Sequence, residues 1–541
     1  MGNRALVFGA AALVIAPILA EPLQTPTPSG APKLVVLLVV DQMRSDYVTR
    51  FQQNWTRGLK RMLGEGAWYS HAAFPYLATF TCAGHATIST GAFPRSHGVF
   101  QNEWFDRALG RSVTCTEDRT QKNLGYFEAA TGGDSAVNLK LPTLADELRR
   151  QRGARVVTLA LKARSAIMMA GQGGQSVTWF STSRQGFETS SAFASGPVPS
   201  VTAFMHANPI ERDFGKVWDR LLPIARYPTA DAGEREAPPR GWTATFPHTL
   251  RADDPAVRDQ WEMSPYADEY LARLALALVD AEGLGQRDAT TDLLAVSFSS
   301  PDILGHAFGP QSQEIQDMYL RLDQTIGTLL DALDAKVGRG RYVVGLGSDH
   351  GVAEIPERAR SEGRDAGRLS SGRMTSIVDA AMQTAFGKGN YVARLSSNDL
   401  YFEPQMYEKL QGNPAVMSQI VNTILAQPGV ASVFRREELA DPSSLTDPRR
   451  RAAALSYVEG RGGDLRLALK PGWIFRADGT THGSSNPYDQ QVPVIVMGPG
   501  VRAGTYGEPA TPADLAPTLA VLAGIQLPTA EGHVLSAVRA R

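Results

Sequence analysis

A surplus of charge is what this chain most plainly lacks: 54 Lys and Arg residues face 55 Asp and Glu, for a formal net charge of −1. No global field then draws it to nucleic acid or to an anionic membrane, so recognition of an anion must come from local groups. Cysteine is nearly missing. Cys82 and Cys115 are the only two, so one disulfide within the chain is the maximum, and two buried thiols is the equal alternative. Beyond residue 20 there is no second long apolar run, which leaves nothing further to read as a membrane span. There is no internal repeat, and the one biased tract is short and Pro-rich. Histidine is scarce as well, nine in 541 residues, so the places where it falls carry information.

The first twenty residues read as a secretory signal. Arg4 supplies the positive end, residues 5–19 are apolar and uncharged, and Ala20 closes a small-residue stretch before Glu21. An uncleaved anchor is the alternative. Residues 21–32 (EPLQTPTPSGAP) form a Pro- and Thr-rich linker into a domain spanning 33–541. The expectation is a periplasmic or secreted protein, in a compartment that permits a disulfide, with no membrane attachment once the signal is removed. Oligomeric state is not legible, with a monomer slightly favoured.

Short apolar, β-branched runs each end in a polar group. Residues 33–40 (KLVVLLVV) run into Asp41 and residues 154–161 (ARVVTLAL) into Lys162. Residues 292–298 (DLLAVSF) lead to Asp302 and residues 341–346 (RYVVGL) to Asp349, while 492–497 (VPVIVM) follows a loop holding His482. Continuous apolar strands suit a parallel sheet covered on both faces. Helical spacing appears at 314–335, 143–150 and 512–522. The alternation predicts an α/β fold with a doubly wound, mostly parallel sheet flanked by helices. Two stretches break it, at about 171–290 and 355–475, and are read as inserted cap segments. In such folds ligands bind beyond the carboxyl ends of the strands, where Asp41, Lys162, Asp302 and Asp349 fall.

The Asp and His residues there are the informative set. Asp302 and His306 stand four apart in PDILGHAFG, Asp349 and His350 are adjacent in GSDHG, and His482 lies in THGSSN. With Asp41 they offer three carboxylates and three imidazoles. Mixed oxygen and nitrogen donors suit zinc better than magnesium or calcium. Six ligands exceed one tetrahedral ion and suit two ions with open positions. Each piece alone is more often structural; their joint occurrence at strand ends carries the reading.

Thr81 lies in FPYLATFTCAGHATISTG, ahead of small residues that open a helix. Backbone N–H groups at a helix start favour a phosphate anion. A hydroxyl becomes a nucleophile when metal coordination lowers its pKa; without the metal cluster, a helix cap is the plainer reading. Lys162 and Arg164 in LALKARSAI place two cations where a doubly charged monoester needs them. Asn102, ending HGVFQN, is a possible amide donor, or only a turn residue.

In combination these motifs resemble the alkaline phosphatase superfamily, and most closely its secreted bacterial members with a threonine nucleophile. The similarity covers nearly all of 33–541, from VVDQMRSDY through TCAGHATISTG, HGVFQNEWFD, LKARSAI, DILGHAFGP and SDHG to THGSSNPYDQQVPVIVMGPG. The resemblance implies one zinc held by Asp302, His306 and His482. It implies another held by Asp41, Asp349 and His350, with Thr81 bound to it. Asn102, Lys162 and Arg164 would contact the phosphoryl oxygens, and a phosphothreonine intermediate would form. Lys162 matches the lysine that replaces a magnesium site in this subgroup, so no magnesium is expected. The expected substrates are small-molecule phosphate esters, with phosphate scavenging as the role and no nucleic-acid partner.

Three rivals remain in view. A phosphodiesterase of the same superfamily would share the ligands and the threonine but not the paired cations. A sulfatase would need C/S-x-P-x-R, and the stretch from Cys82 to Ala86 lacks both Pro and Arg. A non-enzymatic zinc- or phosphate-binding protein would not need a hydroxyl at the open face of a metal site. His85 and His97 are assigned to loop or helix hydrogen bonding. The charged, Gly-rich stretch from Arg360 (RSEGRDAGRLSSGR) reads as a mobile loop.

Overall fold

The computed structural model of the chain describes residue 2 and residues 30–181, 186–288 and 290–538. The expected signal at 1–20 and the linker at 21–32 lie outside the described residues, apart from residue 2 and residues 30–32. No helix among the described residues is long and apolar enough to cross a membrane.

The central strand Leu34–Val40 is buried at all seven positions. Its alternate side chains enter two different cores, which is why the run is continuously apolar. Leu34, Val36, Leu38 and Val40 face Leu271, Leu274 and Leu278 of the helix Pro265–Ala281 and Ile315, Leu322 and Leu329 of Gln313–Leu333. Val35, Leu37 and Val39 face Leu144 and Leu148 of Leu144–Arg152 and Leu515, Leu519 and Leu522 of Leu515–Leu522. The helix Leu144–Arg152 opens with a capping box between Thr143 and Asp146, which satisfies two otherwise orphaned donors.

Ten strands form the main sheet. Its parallel centre is Tyr342–Gly347, Leu34–Val40, Asp292–Phe298, Val156–Ala160 and Ser176–Ser181, side by side in that order. The sheet is thus mostly parallel and covered by helices on both faces, as expected. Val494–Met497 departs from that pattern: it runs antiparallel to Tyr342–Gly347 and to Ala67–Ala72. A buried strand reads as apolar whichever way it runs, so its direction is not in the residues.

The two irregular stretches differ from each other. Residues 171–290 are not one insertion. Ser176–Ser181 and Gly186–Ser190 extend the main sheet, and Pro265–Ala281 packs on its face. The stretch between them and that helix holds the helices Pro199–Ala207 and Val257–Met263 and a small two-stranded sheet, joined by long loops. Between Tyr342–Gly347 and Val494–Met497 the chain builds a second, antiparallel sheet, ordered Val392–Ser396, Asp399–Phe402, Leu465–Leu469, Val430–Arg435. Met374, Val378 and Met382 of the helix Ser371–Phe386 and Ile420 and Ile424 of Pro414–Leu425 pack against it.

The stretch from Arg360 is ordered rather than a free loop. It ends the helix Pro356–Ser361, pairs Gly367–Arg368 with Trp473–Ile474, and enters the helix Ser371–Phe386. Its charge is spent locally: Arg368 pairs with Glu357 at 2.6 Å and donates to the carbonyl of Gly479 at 2.9 Å. Cys82 and Cys115 are joined as a disulfide.

Candidate active site

Parallel register brings the chemistry to one edge. Val40 lies beside Phe298, Val39 beside Gly347 and Ser297 beside Ala160. The residues just past those ends therefore converge, and Asp41, Asp302, Asp349 and Lys162 are all buried there. The helix Thr81–Thr90, buried along its whole length, closes the same edge. Its N-cap is Phe80, with no side-chain cap, so the Thr81 hydroxyl is not used as a cap. Thr81 Oγ1 instead lies 3.3 Å from His350 Nε2.

Carboxylates and imidazoles gather in two overlapping groups. Asp41, Asp349 and His350 offer ligand atoms within 4.8 Å of one another, and so do Asp302, His350 and His482. His306 Nε2 stands 3.3 Å from Asp302 Oδ1, and His482 Nε2 3.8 Å from the same oxygen. The structure thus brings all six residues together, with His350 between the groups; its ring stacks on that of His482 at 3.4 Å.

The three imidazoles are oriented alike. His306 Nδ1 meets the carbonyl of Thr480 at 2.8 Å, His482 Nδ1 that of Thr79 at 2.8 Å, and His350 Nδ1 that of Gly351 at 2.9 Å. A carbonyl can only accept, so each Nδ1 carries the hydrogen and each Nε2 keeps a lone pair aimed inward. Burial holds His306 down to about 4 and, with His350 and His306 nearby, holds His482 well below the usual imidazole range. At neutral pH these rings are neutral donors of electron pairs.

The carboxylates show the complementary need. Burial, with Asp302 and Asp349 close by, pushes Asp41 well above the ordinary carboxylate range. Asp41 Oδ1 is a buried acceptor with no hydrogen-bond donor among the described residues, and Asp349 Oδ2 has only imidazole nitrogens near it, at 3.3 Å. Neutral imidazoles, crowded carboxylates and an orphaned oxygen are a donor set that fits borderline divalent cations such as zinc.

Lys162 lies between the groups, its ammonium 2.5 Å from Asp41 Oδ2 and in contact with Asp302 Oδ2. Burial pulls its pKa down, but Asp302 and Asp41 outweigh that and hold it above the ordinary lysine value, so it stays charged. Arg164, in the first turn of the helix Ala163–Ala170, is half-buried, and its Nε has no acceptor among the described residues. Asn102 is pinned by both ends of the disulfide. Its Oδ1 accepts from Cys82 N at 2.9 Å and its carbonyl from Cys115 N at 2.9 Å. Neither bond uses the amide nitrogen.

Several supporting residues surround these groups, and of them only His85, expected to make loop or helix hydrogen bonds, is singled out by the sequence. Gln42, in the left-handed region at φ 66°, donates its N–H to Asp349 Oδ1 at 3.1 Å and its amide to Asp302 Oδ1 at 2.5 Å. A Cβ on Gly305 would fall 1.9 Å from Gln42 Oε1. Asp268 accepts from Ser299 N at 3.2 Å and from Ser300 N at 3.5 Å, capping the helix Ser300–Phe308 that carries Asp302 and His306. His85 meets the carbonyl of Thr81 at 2.9 Å and Ser297 Oγ at 2.8 Å, and its Nδ1 is also 3.3 Å from Asp349 Oδ2. Gly84 lets the helix lie against the Asp349 backbone; a Cβ there would come within 2.2 Å of the Asp349 carbonyl oxygen. Gln42, Gly84 and Gly305 sit in or beside site motifs, whereas Asp268 carries no signal in the sequence.

Comparisons with known proteins find relatives over most of the chain. A family model described as type I phosphodiesterase / nucleotide pyrophosphatase matches residues 35–489. Alkaline phosphatase PafA of Elizabethkingia meningoseptica is 33% identical over 92% of each chain. Alkaline phosphatase PhoV of Synechococcus elongatus is 32% identical over 94% of this chain and 93% of its own. The crystal structure of wild-type PafA superposes with a TM-score of 0.88 at 32% identity, covering 94% of this chain and 99% of that one.

Proposed function

This chain belongs to the type I phosphodiesterase / nucleotide pyrophosphatase family, within the alkaline phosphatase superfamily, and from that premise we propose that it is an alkaline phosphatase. It hydrolyses phosphate monoesters through a phosphothreonine at Thr81. The observation that carries the reading is the position of Thr81 Oγ1, 3.3 Å from His350 Nε2, at the start of a ten-residue helix and beside the clustered Asp and His side chains.

Two zinc ions would complete the site, one held by Asp302, His306 and His482, the other by Asp41, Asp349, His350 and Thr81. Bound zinc supplies Lewis acidity, lowering the pKa of a bound hydroxyl and neutralising charge on the transferring group. The rest is done by the chain. Thr81 Oγ1 presents the nucleophile in line with the ester. The amides at the helix start favour the phosphoryl anion. The Asn102 amide and the Arg164 guanidinium donate to non-bridging oxygens. Lys162 adds a fixed positive charge between Asp41 and Asp302, so a separate magnesium ion is not needed. Aiming these donors at the developing charge is the main source of rate.

A phosphodiesterase is the rival that the family description keeps open. Against it stand Lys162 and Arg164, two cations suited to a dianionic group, and the near full-length similarity to proteins named alkaline phosphatases. The sulfatase reading loses its residue, because Cys82 is bonded to Cys115. The remaining parts of the proposal follow from sequence. Residues 1–20 are a signal, residues 21–32 a linker and residues 33–541 one catalytic domain, and the product is a periplasmic or secreted enzyme. It scavenges phosphate from small-molecule esters. Thr81→Ala should keep its zinc and lose most turnover of an aryl phosphate; a wild-type rate in that variant would overturn the nucleophile assignment.

A further inference from the structure

The second sheet touches the site through the turn that opens its second strand. A hairpin joins Val392–Ser396 to Asp399–Phe402, and Asp399 at the start of the return strand is fully buried. Asp399 forms a two-pronged ion pair with Arg466 of Leu465–Leu469, at 2.9 and 3.0 Å from Nη2, and Arg466 is 1% exposed. Contacts lead from this pair to three segments of the site. Asp399 Oδ2 accepts from Gln101 Nε2 at 2.7 Å, and the Arg466 guanidinium lies 5.4 Å from the centroid of the Phe100 ring. Those are the two residues before Asn102. Arg466 donates to Ser456 Oγ at 3.1 Å, which in turn lies 3.3 Å from Ala78 N, three residues ahead of Thr81. Asn398 donates from Nδ2 to the carbonyl of Gly483 at 2.5 Å, directly after His482.

We infer that the Asp399–Arg466 pair is a positioning device, by which the accessory sheet sets the Asn102 amide against the phosphoryl site; this rests on the role proposed above for Asn102. Stability alone is a poor account of the pair. Desolvation offsets most of the attraction in a buried ion pair, and apolar replacements are often neutral or better. What the pair does supply is geometry. The planar guanidinium meets both carboxylate oxygens in a fixed fork. The remaining valences are taken by Gly463 N on Asp399 Oδ1 at 2.8 Å and by the Ala453 carbonyl on Arg466 Nη1 at 3.1 Å. With both charged groups hydrogen-bonded on several sides, the pair is held rigidly. Gln101 and Phe100 are both held by it, so a single peptide link separates the network from Asn102. The rigid reference for the phosphoryl donor therefore lies in the accessory sheet as well as in the disulfide.

Asp399→Asn would strand Arg466 without its counter-charge and penalise folding itself, so the test uses Gln101→Met. That change cuts the 2.7 Å bond and leaves the ion pair whole. It costs the core little, because Gln101 Oε1 already lacks a partner among the described residues. In the zinc-loaded enzyme, Gln101→Met should keep metal content and melting temperature near wild type. Affinity for inorganic phosphate, read by calorimetry, and kcat/KM for a monoester should fall together by about tenfold. With Asn102→Ala already present, the same change should alter neither by more than about twofold. Unchanged phosphate affinity in Gln101→Met would overturn the inference. So would a tenfold loss that persists without the Asn102 side chain. A wild-type protein that binds phosphate but hydrolyses no monoester would count against the phosphatase reading instead, and phosphate affinity would still decide the positioning role.

Discussion

Lys162 Nζ lies 2.5 Å from Asp41 Oδ2 and also contacts Asp302 Oδ2, so one ammonium ties a carboxylate of one ligand group to a carboxylate of the other. On the proposed reading, a permanent cation in that place takes the part of a third metal ion. Adding magnesium to the zinc-loaded enzyme should therefore leave kcat unchanged within about twofold. Lys162→Ala removes the charge from between two buried carboxylates and should cost roughly 10²- to 10³-fold in kcat, the scale of losing one preorganised electrostatic group. Steady-state rates with and without magnesium check both statements.

Arg164 has a spare Nε and a half-buried guanidinium at a helix start. If it contacts a non-bridging oxygen, it favours the more highly charged ester. Arg164→Ala should lower kcat/KM for an aryl monoester by about tenfold or more while changing a matched diester by less than about threefold. The ratio of the two rates is the measurement, and an equal fall in both would count against the assignment.

Gly84 is held by contact rather than by backbone angle. Its missing Cβ would sit 2.2 Å from the Asp349 carbonyl oxygen and 2.6 Å from the Asp349 Cα. Gly84→Ala must therefore push the helix bearing Thr81 away from a proposed metal ligand. Overpacking of this kind costs roughly 1–3 kcal/mol, visible in denaturant unfolding, and activity should fall further than stability explains.

His97 gives a pH dependence independent of the metal site. Its Nδ1 accepts from Val99 N at 3.2 Å, so Nε2 carries the hydrogen toward Thr87 Oγ1 at 3.1 Å. Burial lowers its pKa from 6.5 to about 3. The folded state then refuses a proton that the unfolded chain accepts. Its contribution is complete above pH 6.5 and is lost as pH falls from there toward 3, at about 1.4 kcal/mol per pH unit. Between pH 6.5 and 4.5 the wild type should lose about 2–3 kcal/mol more unfolding free energy than His97→Asn, which offers Val99 an acceptor that does not titrate.

Legibility in the sequence followed the kind of contact involved. Asp41, Lys162, Asp302 and Asp349 stand out because buried parallel strands are unbroken apolar runs, and a polar residue at the end of one is conspicuous. Gln42, Asp268 and Gly84 do not stand out, because their partners are Asp302, Ser299 and Asp349, distant in sequence and brought near only by the fold. The direction of Val494–Met497 was hidden for a related reason, since burial shapes composition and not orientation. The stretch from Arg360 looked mobile because it is charged and Gly-rich; Glu357 and the Gly479 carbonyl, which satisfy Arg368, cannot be paired with it by inspection. The sharing of His350 between two ligand groups likewise needs coordinates.

Metal dependence tests the central claim most directly. The purified protein is assayed for zinc and for hydrolysis of an aryl phosphate monoester, then stripped with a chelator, assayed again, and reloaded with zinc alone. The two proposed ligand sets should bind about two zinc ions per chain, activity should be lost with the metal, and zinc without magnesium should restore it. Monoester hydrolysis that survived complete removal of metal would contradict the central claim.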